Sequence, residues 1–307
     1  MEELPFTPLS IDPTSIVLMS WDELRDTFDY KEDKGTLIMA DYSVKVFAGD
    51  DPQLANEVSV SNKLKTLTDT HQTLVFNYAY GYVLSTELPP HYTRLSNAIH
   101  YVYLFSQRIN HQFCELPDEA KVNEDFYFEI LIGIYYARKQ FNFSHWDIHE
   151  GNLMFNLRDR PATRAYRIGS FYVTIENTRI EPKLIDYGKS VIDATYSDDR
   201  WKEPQFKKLW NKSDIHHLSW IFSERKQLSD RFRDFLTNDV LPKYASSRYA
   251  TKLEEDSAAN HANIEQLLQS YFGANQTVQC MVCTGVARYK DTTGVFCGEA
   301  CQLKWYE

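Results

Sequence analysis

The chain has 307 residues, 43% of them hydrophobic, enough for one large two-lobed domain or two ordinary ones with a small appendage. A formal charge of -10 and a pI near 5.4, with no clustered run of Lys or Arg, exclude general affinity for nucleic acid or anionic membrane. No apolar stretch reaches the roughly 20 residues that span a bilayer, and the N-terminus has no basic-then-apolar leader, so an intracellular, cytoplasm-like reducing compartment is expected.

Residues 1–27 are expected to form an N-terminal arm: residues 1 to about 13, with Pro5, Pro8 and Pro13, predict an extended segment, and Ser20-Trp21-Asp22-Glu23 suits the cap of a short helix through Phe28. From Phe28 to Phe47 the pattern is strand-like, with reversals at Glu32-Asp33-Lys34-Gly35 and near Ala40-Asp41 that imply a small antiparallel sheet. Asp51 to Leu67 carries Leu54, Val58, Leu64 and Leu67 at helical spacing, with Pro52 suited to a first turn. Strands are expected within Thr73 to Leu84 and Tyr101 to Phe105, separated by a Pro89-Pro90 loop. After Pro117 helices dominate: Phe126 to Tyr136 is the strongest run, followed by Ser213 to Phe222, Leu228 to Leu241 and His261 to Phe272. The fold class is therefore α+β.

The chemistry concentrates in His145-Trp146-Asp147-Ile148-His149-Glu150-Gly151-Asn152 and, downstream, Lys183-Leu184-Ile185-Asp186-Tyr187-Gly188. A phosphoryl-transfer site needs few groups: one carboxylate to orient an attacking hydroxyl, and hard oxygens to hold magnesium against nucleotide phosphates. H-x-D-x-x-x-x-N supplies Asp147 and Asn152, and Asp-Tyr-Gly supplies Asp186. Context agrees, because the helical run precedes the first motif, the apolar triplet Leu153-Met154-Phe155 follows it, and a strand-like Pro182 to Ile185 leads into Asp186.

Helix, loop, strand, strand, Asp-aromatic-Gly is the order found in the large lobe of protein kinases, and residues 28–272 resemble that superfamily. Within it, the match is closest to divergent, haspin-like protein kinases encoded by large DNA viruses. The resemblance implies a two-lobed fold, a small antiparallel-sheet lobe over about 28–105 and a mainly helical lobe over about 106–272, using ATP and Mg2+. It makes Asp147 the residue that orients the hydroxyl, His145 a brace for the loop, and Asn152 and Asp186 the magnesium ligands. Lys45, in Val44-Lys45-Val46, matches the strand lysine that meets the nucleotide phosphates, with Glu57 as its partner on the next helix; Glu32 and the Asp50-Asp51 pair are the other acidic neighbours. An exposed lysine on an edge strand is the plain alternative.

Departures from the family pattern are specific. Gly35 is the one glycine where a Gly-rich phosphate loop is expected. Trp146 replaces the arginine that reads a phosphorylated activation segment, His149 stands where many such enzymes carry a phosphate-contacting lysine, and no Ala-Pro-Glu lies between Asp186 and Asp214. Asp214 resembles the carboxylate that anchors the catalytic loop, beside a plain helix cap at Ser213. Asp147 and Asp186 lie 39 positions apart (186 − 147), about twice the expected gap, and Tyr166 to Gly169 with Phe171 to Thr174 predicts an extra hairpin filling it.

Cys114 stands alone, while Cys280-Met281-Val282-Cys283 and Cys297-Gly298-Glu299-Ala300-Cys301 crowd into residues 278–307. Two such knuckles suit four thiolates around one tetrahedral, structural Zn2+; disulfides and an iron-sulfur cluster are the competing uses of these cysteines. The ending resembles the second half of MYND-type fingers without their further ligands, and Phe296, Trp305 and Tyr306 would either pack beside the metal or present a surface for a protein partner.

The expected function is a serine/threonine protein kinase acting on protein substrates, in host cytoplasm or virion if viral. The alternatives are a small-molecule kinase of aminoglycoside or choline phosphotransferase type, and a pseudokinase scaffold with the finger as its interaction module.

Overall fold

The computed structural model describes residues 7–8, 20, 30–33, 36–39, 42–70, 72–88, 98–192, 214–244, 260–273, 289–290 and 295–296. The helix expected before Phe28, Gly35, the Pro89-Pro90 loop, Ser213, Trp305, Tyr306 and all four C-terminal cysteines lie outside these residues.

The fold is α+β, with antiparallel sheets and helices in an arrangement compatible with two lobes. Strands β1 (Thr7–Pro8), β2 (Tyr30–Asp33), β3 (Thr36–Met39), β4 (Tyr42–Ala48), β5 (Ala79–Ser85) and β6 (Tyr101–Gln107) form one sheet in the order β1-β5-β6-β4-β3-β2. All five pairings are antiparallel. Asp33 pairs with Thr36, so only Lys34 and Gly35 separate β2 from β3, as the turn residues predict. The arm is not wholly apart from the domain, since Thr7 and Pro8 pair with Tyr82 and Gly81 on the sheet edge. Of the stretch from Thr73 to Leu84, only the part from Ala79 is strand; Phe76 instead makes a parallel bridge to Leu184.

Helix α1 (Pro52–Asp69) begins at Asp51, whose carboxylate accepts a hydrogen bond from Gln53 N at 2.8 Å. It follows β4 directly and packs Leu54 and Val58 against Phe47, Ala79 and Leu104.

The main core lies around α2 (Ala120–Phe141), almost every residue of which from Phe126 to Tyr135 is buried. Its aromatic side chains meet those of α3 (Asp214–Ser223), α6 (Asn260–Phe272) and the continuous helical run of α4 (Asp230–Asp234), a π-helical turn (Phe235–Val240) and α5 (Leu241–Tyr244). Gly133 sits where α2 approaches the extended segment before β5; a Cβ there would lie 2.9 Å from Val75 Cβ.

Strands β7 (His111–Gln112), β8 (Leu153–Ile168) and β9 (Phe171–Leu184) form a second antiparallel sheet. The expected hairpin of Tyr166 to Gly169 with Phe171 to Thr174 is present, as the far end of one long ribbon that begins at Leu153↔Leu184 and ends at Ile168↔Phe171. Register shifts after Leu157 and Ala162 absorb the unequal strand lengths, and Gly169, at φ +54°, makes the reversal. Near the C-terminus, β10 (Tyr289–Lys290) pairs with β11 (Val295–Phe296), immediately before Cys297. No helix among the described residues is long and apolar enough to cross a membrane.

Candidate active site

Lys45 stands on β4, between β3 and β6, so it is an interior-strand residue and not an edge lysine. Its Nζ lies 3.3 Å from Glu57 Oε1 and 2.9 Å from Asp186 Oδ1. Three segments far apart in sequence therefore meet at one ammonium group. Glu57 is buried by α1 packing, whereas Asp186 is 42% exposed and Lys45 30%. Burial disfavours the Lys45 charge, but the two carboxylates outweigh it and hold its pKa above the ordinary value. Glu57 is pushed up by burial, which Lys45 only partly offsets. For Asp186 burial acts upward too, but the shorter contact to Lys45 prevails and its pKa falls. Asp186 thus presents an ionised, solvent-reachable oxygen pair beside a fixed cation.

The loop from His145 to Asn152 is held by buried polar groups. Asp214, at the start of α3, accepts hydrogen bonds from His145 N (2.8 Å) and Trp146 N (2.9 Å). The same carboxylate pairs with Arg138 of α2 at 3.2 Å, both side chains being only 2% exposed. Asp214 is therefore an anchor for the loop backbone. Trp146 takes φ +62° and Asp186 φ +67°, left-handed values that non-glycine residues keep only where surrounding contacts enforce them.

His145 is fully buried; its Nδ1 accepts Asp147 N–H at 3.3 Å, which leaves Nε2 to donate to Ile185 O at 2.9 Å. Burial lowers its pKa, so the ring is neutral near pH 7 and ties the two motifs together without carrying a proton charge. Tyr187 points inward, edge-on to Phe76, Phe143 and His145, and its hydroxyl donates to Leu184 O at 2.5 Å. The aromatic of Asp-Tyr-Gly is a packing residue that turns Asp186 the other way.

Asn152 Nδ2 donates to Asp147 O at 2.9 Å, which leaves the amide oxygen as the end available to a cation. Its own carbonyl accepts from Ile185 N at 3.1 Å, just beyond the Leu153↔Leu184 pair, so the ribbon brings Asn152 and Asp186 to the same end. Among the described residues no three His, Cys, Asp or Glu side chains cluster as a complete metal cage. One carboxylate and one amide oxygen instead fit magnesium that arrives with phosphate oxygens and keeps its waters.

A cavity of about 260 Å³ opens beside these groups, lined by Lys45, Glu57 and Asp186 together with the apolar side chains of Ala79, Leu104 and Met154. Charged groups and apolar walls in one cavity suit a ligand with both an apolar body and a charged part. Asp147 lies outside the lining, whereas Gly151 of the same loop is within it.

Compared with models of known protein families and with curated proteins, the chain matches none.

Two residues of this site were not expected from the sequence. Lys189 Nζ lies 2.8 Å from Asp147 Oδ2, while His149 Nε2, the position singled out earlier, is 3.8 Å from the same oxygen. Asn56 Nδ2 donates to the carbonyls of Tyr187 (3.0 Å), Gly188 (3.1 Å) and Ser190 (2.7 Å), clamping the turn after Asp186 onto α1. Adjacency to Asp-Tyr-Gly was the available signal for Lys189; Asn56, one residue before Glu57, gave none.

Proposed function

We propose that this chain is an ATP- and magnesium-dependent kinase of the divergent, haspin-like kind encoded by large DNA viruses, transferring the γ-phosphoryl group to Ser or Thr hydroxyls of proteins. The observation that carries this reading is the Lys45 ammonium shared by Glu57 and Asp186 at the end of a cavity, with Asp147 and Asn152 on a braced loop beside it. Lys45 would meet the nucleotide phosphates, and Glu57 keeps it straight. Asn152 and Asp186 would hold magnesium, which supplies neutralisation of the charge on the transferring phosphoryl oxygens. Asp147 orients the acceptor hydroxyl and takes up its proton as the new P–O bond forms and the old one breaks, its electron pair leaving with the diphosphate. His145, neutral and buried, holds this geometry and does not relay protons.

The C-terminal cysteines would form a separate structural zinc site with Cys280, Cys283, Cys297 and Cys301 as ligands, and metal analysis should find one zinc per chain, lost in Cys280→Ser.

The test of function is incubation of purified protein with γ-labelled ATP, magnesium and a mixture of protein and small-molecule acceptors. Label on Ser or Thr of protein is the expected result. Label only on small molecules reassigns the acceptor class, and no label at all leaves a scaffold.

A further inference from the structure

Two carboxylates face the reacting region, and each has its own lysine. Lys45 holds Asp186 at 2.9 Å on the cavity side; Lys189 holds Asp147 at 2.8 Å outside the cavity lining. The second lysine is not a loose surface residue. Its backbone lies in a turn closed by Ser190 N to Tyr187 O at 3.0 Å, and Asn56 grips the carbonyls on both sides of it. Ser190, next in sequence, is fully buried and its hydroxyl donates to His145 O at 3.2 Å, tying the same turn to the catalytic loop. Asp147 is 10% exposed and Lys189 35%, so the ammonium covers the carboxylate while keeping one side open to solvent.

We infer that Lys189 is a catalytic residue of the transfer site, a fixed cation on the acceptor side that contacts the phosphoryl group in transit; this rests on the kinase reading above. Charge decides the argument. A chain of net charge -10 must bring a polyanion beside Asp147 and Asp186, and between donor and acceptor the charge of the phosphoryl group in transit is spread over its three oxygens, where a fixed cation can meet it. Lys45 is committed to Asp186 and Glu57 at the cavity end. Lys189 is the nearest full cation to Asp147, since His149 stands a further ångström away and its ring nitrogen Nδ1 is occupied by Gly151 N–H. During transfer, Lys189 would share its ammonium hydrogens between Asp147 and the phosphoryl oxygens. No bond to Lys189 forms or breaks. The acceptor proton goes to Asp147, as before.

The test uses the full chain and its identified acceptor. Lys189→Met should lower kcat about 100-fold, with KM for ATP and the melting temperature close to wild type, because nucleotide contacts and the core are untouched. Lys189→Arg should recover part of the loss. Adding His149→Lys to Lys189→Met should recover more than half of it on a logarithmic scale, since position 149 already reaches the same Asp147 oxygen. Wild-type kcat in Lys189→Met overturns the assignment, as does a double variant as slow as the single one, which would make Lys189 a piece of local structure. Wild-type protein that transfers no phosphoryl group to any acceptor overturns the kinase reading and this one together.

Discussion

The loop from Ser144 to Asn152 and the ribbon of β8 and β9 that follows it are opposites in construction. The loop has almost no regular structure and is fixed by scattered polar contacts: one carboxylate, Asp214, holds two of its amides, while the His145 imidazole, the Ser190 hydroxyl and the Ile185 amide tie it to the segment around Asp186. The ribbon is a long regular ladder whose far half packs on α2 and α6 through repeated contacts, among them Tyr136 Oη to Arg167 O at 2.8 Å and Tyr135 Oη to Gly169 N at 3.0 Å. A buried contact between Arg164 and Glu129 adds to that seam, where burial pushes the Glu129 carboxyl up to about 8 against the pull of Arg164. Redundant contacts tolerate the loss of one member, and single-point anchors do not.

Substitutions at the two regions should therefore separate activity from stability. A large effect on activity with little effect on stability is expected for Lys45→Met, a loss of transfer of about 10²- to 10³-fold with nucleotide binding only partly reduced, measured by single-turnover rate and equilibrium binding. Asp214→Ala should cost about 3 to 5 kcal/mol in chemical denaturation, because it strands the buried Arg138 charge and releases the loop amides, and activity should vanish with it. At the ribbon tip, Gly169→Ala must hold a side chain at φ +54° and displace the Glu265 carboxylate, at about 1 to 2 kcal/mol, with the transfer rate unchanged. Equal damage to activity from the tip and the loop would erase the distinction.

The smallest effect is on pH dependence. His145 has a lowered pKa when folded, so the unfolded chain takes up its proton first; the stability it contributes is present above the unfolded value of about 6.5 and is lost as pH falls toward the folded pKa. Asp186, also lowered, adds a loss in the same direction below the ordinary carboxylate value of about 3.9. Denaturation midpoints should fall on acidification from pH of about 7 to about 5, less steeply in His145→Asn.

Much of this was legible in the sequence because periodicity and capping act locally. Asp51-Pro52 announced α1, and the apolar run after Pro117 announced α2. The pairing of Lys45 with Glu57 could be named because a strand and the helix that directly follows it have few ways to meet. The ribbon was harder. Tyr166 to Thr174 carries a clear reversal, but whether it stands alone depends on register along residues 157–164, where bulges and charged side chains break the alternation. Lys189 and Asn56 were missed for another reason: each acts through long-range contacts to a backbone or carboxylate fixed elsewhere, and such contacts leave no period in the sequence.

The most direct test of the central claim is transfer from γ-labelled ATP, with magnesium, by wild type, Asp147→Asn and Asp186→Asn, with folding of each checked by circular dichroism. The account requires labelled protein acceptor with wild type, a drop of about 10²- to 10⁴-fold in both folded variants, and weaker magnesium-dependent ATP binding only in Asp186→Asn. Wild-type turnover in either folded variant would contradict it.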